Sequence, residues 1–357
     1  MKFLTTSKLD FLPYRVSNKN FSEDDFWKSY EQIKKTVVKI RSLDGFDEYR
    51  KFISRLRSFS ANQLVPLKDL MSAKKDSIKT IALRFDVDME PVTAVRLARY
   101  NARYGIPASF FLLHTAYYYG VMKDKVFYRN PLLKYWLKAL IVSGCEIGLH
   151  TDALSCYLEH GVDGAMAVVE EIAWLRSHGA HINGTVAHNS YPAYNAENFE
   201  IFNNYVLWER CINMLHDKRY PLGLLDEAKL GLTYEGNYPI RPKEPLNEKT
   251  EMLISNWSRL TNSDSTESEI WMRTYLLDNP CYERAYETIV WHHGGRNWTI
   301  ATKVNRLFRK KWYWKVNFEQ MFQVLANLPD GIRIVFLLHP IYFSRDTTRL
   351  SLDELSA

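Results

Sequence analysis

The sequence predicts an α/β fold in which parallel strands alternate with helical crossovers, and three observations carry that expectation. From residue 80 onward, short apolar runs of strand length alternate with longer segments whose apolar residues recur at helical spacing. Glycines stand where the helical segments should stop, at Gly105, Gly144 and Gly179. Several apolar runs end in aspartate or histidine, and parallel α/β folds collect their functional residues at the C-terminal ends of strands. On the residues alone, a barrel and an open doubly wound sheet both fit.

Taken in order, residues 21–71 read as amphipathic helix, with Ser22 as an N-cap ahead of acidic residues and Phe26, Tyr30, Ile33 and Val37 at helical spacing. Residues 1–78 are therefore expected to form a helical extension. TIALRFD (80–86) is an apolar run suited to a buried strand, and Pro91 then opens a helix with Val92, Val95, Ala98 and Ala102 along one face. Strands at 108–113, 146–150 and 182–187 and helices at 131–142 and 162–177 follow, and 332–338 is the last clear strand. Between about 212 and 286 the rhythm is lost, and 236–269 is rich in Asn, Pro, Ser and Glu, which reads as an insertion or long loops near a binding face. No internal repeat of fixed period is visible.

Composition narrows the class. A chain of 357 residues with 46% hydrophobic and 25% charged residues can bury a sizeable core. The net charge of +6 is mild and the basic residues are interspersed with acids, so nucleic acid is not an expected partner. The densest basic run, RLFRKKWYWK (306–315), is expected on a solvated or packed helix face, although an anionic lipid or a nucleotide phosphate would also suit it. Cys145, Cys156, Cys211 and Cys281 form no C-x-x-C pair, and the opening MKFLTTSKLDFLPYR lacks the pattern of a signal peptide, so a reduced cytoplasmic setting is expected. No apolar stretch reaches the roughly 18 residues of a membrane span, and any membrane contact should be peripheral.

The residues able to carry chemistry lie at the predicted strand ends. RFDVDM (84–89) holds Asp86 and Asp88, which the two-residue alternation of an extended backbone puts on the same side. Carboxylates that close repel unless a cation, a proton or an arginine intervenes, which suits a bound metal and one carboxylate kept as a base. An N-cap at Asp88 with Asp86 paired to Arg84 explains the same residues without chemistry. EIGLHTD (146–152), TVAHNSYP (185–192) and VFLLHP (335–340) set His150, His188 and His339 at further strand ends. A single such histidine is ordinarily a hydrogen-bonded structural residue. Several strand ends delivering Asp or His to one rim point to a divalent ion held by carboxylate and neutral imidazole. The 10 Trp, 22 Tyr and 18 Phe suit stacking on sugar rings and suit a core equally.

On LRFDVDME (83–90), IPASFFLLH (106–114), SGCEIGLHT (143–151) and FLLHP (336–340), the chain from about 80 to 342 resembles the polysaccharide deacetylase superfamily, the NodB-homology or carbohydrate esterase family 4 group. The likeness is closest to the divergent branch whose first motif reads R-H-D-V-D, and it extends to WbmS-like proteins of surface-polysaccharide gene clusters. The resemblance implies a distorted (β/α)7-type barrel over residues 79–345, with an N-terminal helical extension, an irregular insertion at about 212–286 and a C-terminal tail at 346–357. It implies metal-dependent removal of an acetyl or formyl group from a sugar nitrogen. The metal would be zinc, with iron, manganese or cobalt as alternatives. By motif, Asp86 would be the base, His339 the general acid, and Asp88 and His150 metal ligands.

The departures define what is open. The family's second metal histidine lies four residues after the first, and here that residue is Leu154. His188, where the family commonly has an arginine contacting the base, is either the missing ligand or a residue supporting the site. WHHGGRNW (291–298) resembles the family's fourth motif only weakly: His292, His293, Arg296 and Trp298 would suit a substrate-contacting loop, and a plain turn fits as well. Arg84, Asn189 and Tyr191 are further candidates for substrate contact. The expected substrate is an N-acylated sugar, nucleotide- or lipid-linked, used in surface polysaccharide synthesis. Two alternatives stand beside this: a catalytically degenerate member binding carbohydrate or a partner, which Leu154 favours, and an amidohydrolase acting on a small non-sugar amide.

Overall fold

The first core strand sets the frame of the molecule, because each of its edges is occupied by a parallel neighbour. In the computed structural model, which describes residues 12–19, 22, 24, 45–58, 62–72, 78–188, 198–202, 222, 224–236, 288–293, 298–305, 310–316, 318–327 and 333–344, the chain runs through α1 (Gly45–Arg57), β1 (Asn62–Val65), α2 (Leu67–Ser72), β2 (Lys79–Val87) and α3 (Pro91–Arg103). Next come β3 (Ser109–Leu113), the hairpin β4 (Gly120–Lys123) and β5 (Val126–Arg129), α4 (Leu133–Val142), β6 (Glu146–Thr151), α5 (Ala153–His160), α6 (Gly164–Ser177) and β7 (Ile182–Ala187). Then follow β8 (Tyr234–Glu235), β9 (Thr288–His293), β10 (Trp298–Asn305), β11 (Lys310–Val316), α7 (Phe318–Asn327) and β12 (Arg333–Leu338). One sheet carries the order β11-β10-β9-β12-β2-β3-β6-β7-β8, and every pairing from β9 to β8 along it is parallel. The sheet curls into a half-barrel, so the expected mixed α/β class with parallel strands holds. No helix among the described residues is long and apolar enough to cross a membrane.

Strand alternation divides the core in two. Ile81, Leu83, Phe85 and Val87 of β2 join a large cluster with helix residues such as Val95 and Leu97 of α3 and Leu137 of α4. Ala82 of the same strand faces the inner side, with Phe111, Val186, Tyr234 and Val335 from other strands and Leu67 and Leu70 from α2. That interior is narrow. A Cβ on Gly148 would lie 2.3 Å from the Phe111 ring, and one on Gly184 would lie 2.2 Å from the Tyr234 ring. The missing side chains make room for two rings that fill the space. At the foot of the interior, Glu146 accepts hydrogen bonds from the Ser109 hydroxyl at 2.6 Å, the Tyr234 hydroxyl at 2.7 Å and the Lys68 amide at 3.1 Å. Its buried carboxylate is thereby satisfied, and the first turn of α2 is tied across the foot of the sheet.

Several elements differ from expectation. The helical reading of 21–71 holds for α1, whose Tyr49, Phe52, Ile53 and Leu56 are buried, but fails at β1. Leu64 and Val65 suit an extended backbone and Pro66 closes the run. β1 joins the sheet by pairing Asn62–Val65 with the first half of β2, on the edge that β3 takes over from Arg84. The expected helical face at 26–37 lies outside the described residues. The hairpin β4–β5 turns through Asp124 and Lys125, with φ of 50° and 61°. A two-residue turn of this kind is ordinarily announced by Asn-Gly or Asp-Gly, and neither is present. The short helix α5 is bracketed by its N-cap Asp152 and by Gly161 at φ 65°. Part of the basic run expected on a helix forms β11 at the end of the sheet, where three consecutive aromatics, Trp312, Tyr313 and Trp314, favour a strand. Of the expected insertion, 222 and 224–236 are described, and β8 there pairs with β7.

The tight interior makes a simple prediction. Gly148→Ala should destabilise the protein by about 1–3 kcal/mol in urea denaturation through overpacking against Phe111. Val142→Ala, at an exposed helix end, should change stability by less than about 0.5 kcal/mol. Equal stability of the Gly148 variant and the native protein would contradict this packing.

Candidate metal centre

Parallel pairing brings the C-terminal ends of β12, β2, β3, β6 and β7 to one rim in that order. Asp86 lies near the end of β2 and Asp88 just beyond it, His150 lies near the end of β6, and His188 and His339 directly follow β7 and β12. By alternation each of these positions belongs to the inner face. The turn that carries Asp88 out of β2 passes through Glu90 at φ 61° and ψ 56°, a left-handed conformation uncommon for a non-glycine residue, before Pro91 starts α3.

The two imidazoles are held in defined tautomers. His150 Nδ1 lies 2.8 Å from the Val186 carbonyl oxygen, which can only accept, so Nδ1 carries the proton and the lone pair of the neutral ring is on Nε2. That Nε2 stands 3.3 Å from Asp88 Oδ1 and 3.6 Å from Asp86 Oδ2. Asp88 Oδ1 is buried and, among the described residues, makes no hydrogen bond. A lone pair facing an unpaired carboxylate oxygen requires positive charge between them, either a proton or a metal ion. On the other side, His188 Nδ1 donates to Asp152 Oδ2 at 3.2 Å, which leaves Nε2 able to ligate. The His150 and His188 rings lie 5.1 Å apart at 89°. One ligand atom each from Asp88, His150 and His188 falls within 4.8 Å of the others, a spacing that could hold a metal ion. Three protein ligands of this kind leave a coordination position for water or substrate.

Asp86 has a different environment. Arg84 donates from Nε to Oδ1 at 2.7 Å and from Nη2 to Oδ2 at 2.5 Å, while its Nη1 donates to the Gly236 carbonyl at 3.2 Å. Burial opposes ionisation of Asp86, but Arg84, His150 and His339 outweigh it and hold the carboxyl well below the usual range. Burial acts the same way on Asp88, and its histidine neighbours more than offset it, so this carboxyl is also lowered. His339 Nε2 lies 3.5 Å from Asp88 Oδ2, and burial keeps its pKa below the ordinary imidazole value despite the two carboxylates. For His188 the balance is reversed: burial lowers its pKa, and Asp152 raises it by more.

Arg84, an expected substrate residue, is 3% exposed and donates to both carboxylate oxygens of Asp86. Leu154 is fully buried in the main core, in the first turn of α5. His292, His293 and Trp298 are placed by their backbone alone. His292 pairs with Leu337 of β12, and His293 stands opposite Trp298 across β9 and β10, so the described residues of WHHGGRNW lie on antiparallel strands beside the one that leads to His339. Asn189, Tyr191 and Arg296 lie outside the described residues.

Residues not singled out by sequence also build the site. The Tyr118 hydroxyl donates to the Val87 carbonyl at 2.8 Å and accepts from the Leu113 amide at 3.1 Å, bridging β2 and β3 where their ladder ends. Asp152 receives the Thr115 hydroxyl at 2.8 Å and Asn198 Nδ2 at 3.0 Å, and its amide donates to His114 Nε2 at 2.8 Å. Burial pushes the pKa of His114 down to about 4, which keeps the ring neutral and able to accept. The signal for Asp152 was present in EIGLHTD, where it stands two residues beyond His150.

Comparison of the chain with protein-family models returns no match, and comparison with curated proteins returns none.

The Arg84–Asp86 pair has a testable pH dependence. In metal-free protein at pH 7, Arg84→Met should cost about 3–5 kcal/mol in denaturation, because it leaves a buried carboxylate uncompensated. The native pKa of Asp86 is depressed, so its contribution is present above the unfolded value of about 3.9 and is lost as pH falls through the folded value. In the variant the contribution of Arg84 is lost while burial and the two histidines remain, so that pKa rises above its native value and protonation relieves the penalty. The gap between the two proteins should therefore narrow from pH 7 to pH 4, and a constant gap would contradict the pairing.

Proposed function

We propose that this protein is a metal-dependent amide hydrolase of the deacetylase type, with the half-barrel as the core of a distorted (β/α) barrel. Its substrate is an N-acetyl or N-formyl sugar, nucleotide- or lipid-linked, in surface polysaccharide synthesis. The observation that carries this reading is the Asp88–His150–His188 cluster, with both imidazoles in ligating tautomers around the hydrogen-bond-free Asp88 Oδ1. The motif resemblance across RFDVDM, EIGLHT and FLLHP supports hydrolysis as the chemistry. Leu154 deprives the site of the usual second histidine, and His188 supplies an imidazole from β7 in its stead. That substitution removes the main argument for a degenerate, merely binding protein.

Asp88, His150 and His188 would hold the ion, and one carboxylate with two imidazoles suits zinc first, with iron, manganese or cobalt as alternatives. A divalent ion bound there would polarise the amide carbonyl and bring the pKa of a water towards neutrality. Asp86 stays ionised across the working pH range and accepts the proton of the attacking water. Its pairing with Arg84 makes it a weak base, so it depends on that water being acidified. His339, neutral at rest and beside Asp88, would receive the proton that Asp86 took from the water and, as imidazolium, pass it to the departing nitrogen. The carbonyl carbon gains an oxygen, the C–N bond breaks, and the products are a carboxylate and an amine.

Metal analysis and an acyl-release assay test the proposal together. The full chain reconstituted with Zn2+ should retain a stoichiometric ion, which Asp88→Ala and His150→Ala should lose. On a panel of N-acetyl and N-formyl sugar nucleotides it should release acetate or formate. Asp86→Asn and His339→Ala should lower kcat by about 10²–10⁴-fold while keeping the metal. A folded protein that retains no divalent ion would sink the reading, and turnover confined to small non-sugar amides would replace the substrate class.

A further inference from the structure

We infer that Asp152 is a positioning residue of this centre, whose carboxylate fixes the tautomer and orientation of His188. The inference rests on the metal reading above and deepens it. Asp152 is the N-cap of α5, and helix capping alone would account for an aspartate at that position. The geometry asks for more. Asp163 caps α6 with one oxygen that accepts from Ala165 and Met166 amides at 3.0 and 3.2 Å. At Asp152 the capping bond from the Ser155 amide is longer, at 3.4 Å, while Oδ2 is turned to the His188 ring and the Thr115 hydroxyl. The carboxylate is 3% exposed, so its orientation is set by buried polar partners.

The same residues clamp the rest of His188. Its amide donates to the Thr151 carbonyl at 2.8 Å, and its carbonyl accepts from Asn198 Nδ2 at 2.6 Å. That amide nitrogen of Asn198 also lies 3.0 Å from Asp152 Oδ1, so one side chain spans both residues of the pair. Backbone and ring of His188 are thus registered to residues 151–152, directly after His150. A histidine that donates Nδ1–H to a carboxylate presents Nε2 as a stronger donor to a metal, and removing such a partner typically costs about 10–100-fold in affinity. The start of α5, where the resemblance led one to expect a ligand at Leu154, instead supplies the carboxylate that holds a ligand from the neighbouring strand.

The test measures Zn2+ affinity of the full chain by competition with a chromophoric chelator, with the melting temperature of each metal-free variant alongside. Asp152→Asn and Asp152→Ser remove the carboxylate, and serine keeps a good capping group. Both should weaken Zn2+ binding by about 10–100-fold, whereas Asp163→Asn should leave it unchanged. In a His188→Gln background the Asp152 substitutions should have no further effect on affinity. Native-like affinity in Asp152→Asn, an undiminished loss in the His188→Gln background, or failure of both Asp152 variants to fold would each overturn the inference. A native protein that binds no Zn2+ would fail the metal reading itself, a result distinct from all three.

Discussion

The narrow inner face of the curled sheet is the constraint from which the rest of the molecule follows. Each parallel strand sends every second side chain into the same confined space, so the interior is filled from foot to rim in layers. Glu146 and its hydroxyl partners occupy the foot, in register with Arg84, and the Phe111 and Tyr234 rings fill the middle against Gly148 and Gly184, where Asp86 is in register with Phe111. The rim is what remains, and strand alternation assigns it Asp88, His150, His188 and His339. Arg84 links the layers, since its guanidinium lies over the Phe111 ring at 5.9 Å while Nε and Nη2 donate to Asp86.

Charge balance at the rim follows from this layering. Three carboxylates meet at this end of the sheet: Arg84 pairs with Asp86, His188 pairs with Asp152, and His150 and His339 stand beside Asp88. The hydrogen bond to the Val186 carbonyl fixes a proton of His150 on Nδ1, and burial keeps His114 neutral. A divalent ion between Asp88, His150 and His188 would add positive charge beside Asp88, whose carboxyl pKa is lowered by its histidine neighbours. The raised pKa of His188 is the counterpart: Asp152 makes that ring a better base, which a proton or a metal can exploit.

Much of this could be read from the sequence, and the limits are physical. The strands β2, β3, β6, β7 and β12 and the helix α3 were legible because apolar runs and stop signals agree there. The common rim was legible because strand ends in parallel folds converge. The hairpin β4–β5 was not, since its turn places Asp124 and Lys125 in a conformation that neither residue advertises. β1 was hidden inside an amphipathic stretch that reads as helix by period. Arg84 could be placed beside Asp86 but not oriented: only the tertiary fold shows that the interior, rather than the mouth, receives its guanidinium. His188 illustrates the deepest limit, because ligand spacing along a chain reports on one helix turn, and here the second imidazole of the cluster stands at the end of the adjacent strand.

The central claim, that His188 completes an Asp–His–His set with Asp88 and His150, is tested most directly by X-ray absorption at the zinc edge of the loaded full chain. The account predicts two imidazole nitrogens at about 2.0–2.1 Å with oxygen ligands completing the shell, and one imidazole in His188→Gln. A single imidazole in the native protein, or a spectrum unchanged by His188→Gln, would contradict it.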